Sequence, residues 1–90
     1  MKPAPPPDME GCVLISNNID PDCHCQEEEW HTPIGAAFIH LKPSGEGDVF
    51  FDNGDAGEWE IEIQGDGESD FRQKFIDYIA HIESLPVLDV

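Results

Sequence analysis

Basic residues are nearly missing from this chain of 90 residues, which has 4 Lys+Arg against 20 Asp+Glu and a formal net charge of -16. Direct binding to nucleic acid or to an anionic membrane surface is therefore not expected, because both reward clustered Lys and Arg. Long hydrophobic runs are missing too. The longest, Ile34-Gly35-Ala36-Ala37-Phe38-Ile39, falls far short of the ~20 apolar residues a membrane helix needs. The N-terminal Met1-Lys2-Pro3-Ala4-Pro5-Pro6-Pro7 has a cation but no apolar segment after it, so it does not read as a secretory signal. Three cysteines cannot close into a disulfide framework. Without an export signal, a cytoplasmic location is expected.

Catalytic signatures are absent as well. There is no Gly-x-Ser-x-Gly and no phosphate-binding glycine loop, and Asp52-Asn53-Gly54-Asp55-Ala56-Gly57 lacks the spacing of a calcium loop. A nucleophile pair made from Cys23 or Cys25 and a histidine has no third, orienting group placed by spacing. No enzyme is expected.

The length fits one domain. Residues 1–10 hold four of the eight prolines and read as a flexible Pro-rich tail, followed by a single α+β domain over 11–90. Gly11 to Ser16 reads as a short buried strand and Asn17-Asn18 as a turn. Residues 17–33 are polar and irregular and read as a long connection. Thr32-Pro33 resembles a helix start, but Gly35, the β-branched Ile34 and Ile39 and the short run favour a strand buried on both faces over 34–41. Asp48 to Asp52, the Asn53-Gly54 turn signal and the alternating Glu58-Trp59-Glu60-Ile61-Glu62-Ile63-Gln64 spell a hairpin. A helix fits 69–85, with Ser69 as N-cap, Pro86 as its stop, and Phe71, Phe75, Tyr78, Ile79, Ile82 and Leu85 on one face. The expected fold is α+β: a small antiparallel meander of three to four strands with one C-terminal helix packed on one face.

What remains is the acidity. Duplex DNA carries two phosphates per ~3.4 Å of axis, so sixteen negative charges equal those on about eight base pairs, or roughly 27 Å. Alternate carboxylates on a strand repeat at ~6.8 Å, the order of the phosphate spacing along one DNA strand. Glu58, Glu60 and Glu62 make such a row, and Asp48, Asp52 and Asp55 can extend it. In the acidic stretch Glu27-Glu28-Glu29-Trp30, Trp30 follows no core periodicity and is a candidate exposed anchor for a partner. The expected function is a small acidic inhibitor that mimics nucleic-acid charge and blocks the nucleic-acid site of a basic protein. That is the profile of phage counter-defence proteins of anti-CRISPR or anti-restriction type. The alternatives are an immunity protein that neutralises a nuclease toxin, and a zinc-binding or adaptor module built on the Cys/His loop. The expected partner is a basic nucleic-acid-binding protein or nuclease, and an exposed strand edge would also allow a homodimer.

Cys23, Cys25 and His31, joined by one of Cys12, His24 or His40, are the candidate zinc ligands. The single residue between Cys23 and Cys25 is shorter than structural zinc sites favour. No cofactor is therefore expected from the sequence.

Overall fold

Period-two alternation runs much further along this chain than its hydrophobic pattern implies. The computed structural model describes Met9 and residues 11–84. They form β1 (Val13–Ile19), β2 (Gln26–Thr32), β3 (Gly35–Leu41), β4 (Glu46–Asn53), β5 (Gly57–Gln64) and α1 (Glu68–Ser84). The strands make one antiparallel sheet in the order β1-β2-β3-β4-β5, and α1 lies on one of its faces, seated against β4 and β5. The fold is α+β as expected, but the meander has five strands rather than three to four.

The additional strand is β2, read above as irregular. Its sequence, Gln26-Glu27-Glu28-Glu29-Trp30-His31-Thr32, hides its alternation because two positions facing the helix are polar. Asn17 and Asn18 do not turn the chain. They extend β1, which pairs with β2 across a bulge between Leu14 and Ser16. The reversal comes later, at Asp20–Cys25, where Asp20 N–H donates to the Cys25 carbonyl (2.9 Å) and His24 N–H to that of Asp20 (2.8 Å).

Pro33 belongs to the turn joining β2 to β3. There the Thr32 hydroxyl donates to the Gly35 carbonyl (2.7 Å) and accepts from the Ile34 amide (3.2 Å). β3 is a strand, but one buried on a single face. Ala37, Ile39 and Leu41 are buried, whereas Phe38 and His40 face water. The β4–β5 hairpin turns where Asn53-Gly54 indicated, yet the positive φ falls on Gly57 (95°), which closes the loop opposite Asn53.

The core lies between the sheet and the helix. Trp30, Ala37, Ile39, Leu41, Val49, Phe51 and Ile63 meet Phe71, Phe75 and Ile79. Phe51 stacks on Trp59 at 5.1 Å and on Phe75 at 6.1 Å, and Trp59 Nε1 donates to the Tyr78 hydroxyl (2.8 Å). Met9, counted above with the tail, is buried in the same core. The other tail residues lie outside the described ones, as do Leu85 and Pro86 at the expected end of the helix. The helix begins one residue earlier than expected. Gly67 O accepts its first bond, from the Phe71 amide (3.1 Å), so Ser69 sits inside the first turn rather than at the cap.

The Asp66 amide donates to Asp70 Oδ2 (2.8 Å), and Lys74 Nζ lies 3.2 Å from the same oxygen. The amide first, then the ammonium, hold the Asp70 carboxyl below its usual range. The stability it lends is present above the ordinary carboxylate pKa and fades as pH falls through the lowered folded value.

Two loops meet where the helix starts. Gly65 N–H donates to Gly45 O (3.0 Å) and Gly67 N–H to Ser44 O (3.0 Å). Gly45 has φ +99°, and a Cβ there would overlap the Gly67 backbone. Gly45→Ala is expected to lower stability in urea unfolding by about 2–4 kcal/mol, from left-handed strain plus overlap.

Candidate functional site

The strand register places the outward side chains of the sheet in cross-strand rows. On the face away from the helix, one cross-strand row runs Asn18, Glu27, His40, Asp48, Glu62. The next runs Ser16, Glu29, Phe38, Phe50, Glu60, and a third runs Val13, His31, Ala36, Asp52, Glu58. Neighbouring strands are ~4.8 Å apart and same-face residues ~6.8 Å apart along a strand. These spacings place Glu27, Glu29, Asp48, Asp52, Glu58, Glu60 and Glu62 within about 14 Å in each direction. The rows contain no Lys or Arg. Asp55 is exposed in the β4–β5 turn.

Asp48 stands opposite Glu62, and Asp52 opposite Glu58. Like charges in register destabilise a sheet by some tenths of a kcal/mol per pair. No cation within the rows offsets that repulsion. Among the described residues the three cations stand outside these rows: Lys42 pairs with Glu46 (3.5 Å) at the border of the same face, Lys74 with Asp70, and Arg72 with Glu28 and Glu68.

An aromatic pair sits inside the acidic field. Phe38 is 41% exposed, and its ring centroid is 6.1 Å from that of Phe50. A shallow groove beside the pair is lined by Ser16, Asn18, Glu27, Glu29, Phe38 and His40. Sequence reasoning missed these phenylalanines because Phe38 lies in an unbroken apolar run and Phe50 in Val49-Phe50-Phe51. Only the register separates the outward ring from its buried neighbours.

Trp30 and Glu28 are corrected. Both were expected on a partner-binding surface, and both instead face the helix, at 2% and 3% exposure. They belong to a buried network. Arg72 grips Glu28 through two bonds, Nη1 to Oε1 (2.9 Å) and Nη2 to Oε2 (2.6 Å), and Trp30 Nε1 donates to Glu28 Oε1 (2.8 Å). Gln26 Oε1 accepts from Arg72 Nη2 (3.3 Å), and Glu68 Oε2 lies 3.5 Å from Nε. Burial works against the Arg72 charge, but the hydrogen bonds and charge of Glu28 outweigh it and raise the Arg72 pKa. The network explains how polar Gln26 and Glu28 occupy inward positions of β2.

The cysteine loop is rearranged relative to expectation. Cys23, Cys25 and His40 bring their ligand atoms within 4.8 Å of one another, with Cys23 Sγ 3.9 Å from His40 Nε2. His31 is not part of this group. It lies at the far end of β2, opposite Val13 and Ala36, about 13 Å along the strand from the end that faces His40. Cys23 is exposed and Cys25 buried. The hydrogen bond to Cys23, then burial and neighbouring negative charge, push the Cys25 thiol up to about 11.

Comparisons with protein-family models, with curated proteins and with solved structures return no match.

Removing one member of the buried ion pair leaves the other charged and stranded. Glu28→Met or Arg72→Met alone is expected to cost about 3–5 kcal/mol in urea unfolding. Glu28→Met combined with Arg72→Met should cost clearly less than the two single losses added, and a double-mutant cycle measures the difference.

Proposed function

We propose that this protein is a small, non-enzymatic inhibitor whose open sheet face presents nucleic-acid-like charge to the nucleic-acid-binding site of a basic target, in the manner of anti-CRISPR or anti-restriction proteins. The observation that carries this reading is the cation-free array of carboxylates on one face, set at strand spacing around Phe38 and Phe50. Such a field raises the rate of encounter with a positively lined cleft. Charge alone gives short-lived complexes, and a buried aromatic anchor lengthens them. The phenylalanine pair, rather than Trp30, fills that role here.

A second reading is favoured by the same pair. Aromatic rings have no counterpart on a phosphate backbone, so they suit a target with an apolar pocket beside its cationic cleft. An immunity protein that covers a nuclease toxin next to its active site has that requirement. The target in either case is a basic nucleic-acid-binding protein.

The decisive experiment captures partners from a cell extract on the full-length protein and challenges the complex with duplex DNA. Displacement of a nucleic-acid-binding protein is the expected outcome. Retention of the partner against excess DNA selects the steric, immunity-type reading, and absence of any basic partner refutes both. With the partner in hand, replacing Glu58, Glu60 and Glu62 together by Gln should weaken binding at least about tenfold at low salt and flatten its salt dependence. Phe38→Ala should act differently, speeding dissociation while leaving the salt slope unchanged.

A further inference from the structure

We propose that Cys23, Cys25 and His40 bind a single Zn²⁺ ion at the end of the open sheet face, through two thiolates and one imidazole. His40 stands between Glu27 and Asp48, so the site borders the carboxylate array, but its existence does not depend on the inhibitor reading.

The donors come from two parts of the chain. Two cysteines lie in the β1–β2 connection, and His40 lies on the central strand β3, held between β2 and β4. Tetrahedral zinc, with ~2.3 Å to sulfur and ~2.0–2.1 Å to nitrogen, places its donor atoms about 3.5–3.8 Å apart. The Cys23–His40 separation of 3.9 Å is nearly there, and since all the donor atoms lie within 4.8 Å of one another, none exceeds the requirement by more than about 1 Å. A side-chain adjustment of that size needs no change in the sheet.

The short Cys-x-Cys spacing, which counted against zinc in the sequence, is accommodated by the backbone. His24, between the cysteines, adopts φ +59°, a left-handed conformation uncommon for a residue other than glycine. The reversal is fixed by the bonds between Asp20 and both His24 and Cys25. The two thiols are thereby presented to the same histidine.

The donor chemistry selects the ion. Two sulfurs and a nitrogen exclude calcium and magnesium, which take oxygen ligands, and suit zinc. Binding releases one proton from each thiol, so the two charges of the ion are balanced by two thiolates and the acidic face keeps its field. Three protein ligands leave the fourth position to water or to a group from a partner.

The test uses the full chain, stripped of metal and kept reduced. It is titrated with Zn²⁺ in competition with a chromogenic chelator, and separately with Co²⁺ as a spectroscopic probe. One equivalent of Zn²⁺ should bind, and the Co²⁺ form should show thiolate charge-transfer bands and intense tetrahedral d–d bands. Cys23→Ser, Cys25→Ser and His40→Gln should each weaken Zn²⁺ binding about a hundredfold or more, beyond the usual effect of an outer-shell change. His31→Gln should leave it unchanged, and circular dichroism of each variant reports whether the fold is retained. Three results would overturn the site: no stoichiometric uptake by the folded protein, a Co²⁺ spectrum without thiolate bands, or tight uptake that survives His40→Gln. Binding of Cu⁺ without Zn²⁺ under the same conditions would overturn the assignment to zinc.

Discussion

One helix covers one face of a sheet. α1 has 17 residues, so it is about 25 Å long and ~10 Å wide. That length matches a strand of seven or eight residues, and the helix runs along the strands, with Arg72 at Glu28 early in β2 and Ile76 and Ile79 beside Pro33 past its end. Because side chains alternate along every strand, covering one side necessarily delivers the other to solvent. Trp30, Ile39, Val49, Phe51 and Ile63 go inward, while Glu27 and Glu29 of β2 and the carboxylates of β4 and β5 go outward; Glu28 alone of the strand carboxylates goes inward, to Arg72. Exposed acids also stand off this face, among them Asp22 and Asp66 in loops and Glu68, Asp77 and Glu83 on the helix. The carboxylate rows of the sheet are the complement of the core, fixed by the same register.

The buried Arg72–Glu28 pair belongs to this arrangement. It places one of the few cations of the chain on the inner side of the sheet, where two bonds to a carboxylate absorb its charge. Lys42 and Lys74 are each engaged by a nearby acid. The outward rows keep their charge because the cations are spent elsewhere. A buried ion pair is a poor source of net stability, since desolvation offsets much of the attraction. Its geometric effect is clearer, because it ties the N-terminal part of the helix to β2 in one relative position.

Much of this was legible in the sequence. The alternation of β5 and the helical spacing from Phe71 onward identified a sheet-and-helix fold and the row Glu58, Glu60, Glu62. Asp48 and Asp52, expected to extend that row, lie on the same face, where the β4–β5 register sets them directly opposite Glu62 and Glu58. β2 was not legible. A strand whose inward positions include Gln26 and Glu28 lacks apolar alternation, and its pairing depends on Arg72, 44 residues away from Glu28. Trp30 was misplaced for the same reason, since an aromatic in a run of glutamates carries no periodicity until the run is known to be a strand. His40 was outside the main candidate set for zinc because only the β2–β3 register brings it to the cysteines.

The two borders of the sheet are unlike. β5 carries glutamates at alternate positions, which discourage an incoming strand, whereas β1 exposes Val13, Ile15 and Ile19 with no charge among them. Addition of a second chain is thus permitted along one border alone. Two molecules joined there would finish with a repellent margin at either extremity. Self-association by that route would stop at a pair rather than grow into a continuous ribbon.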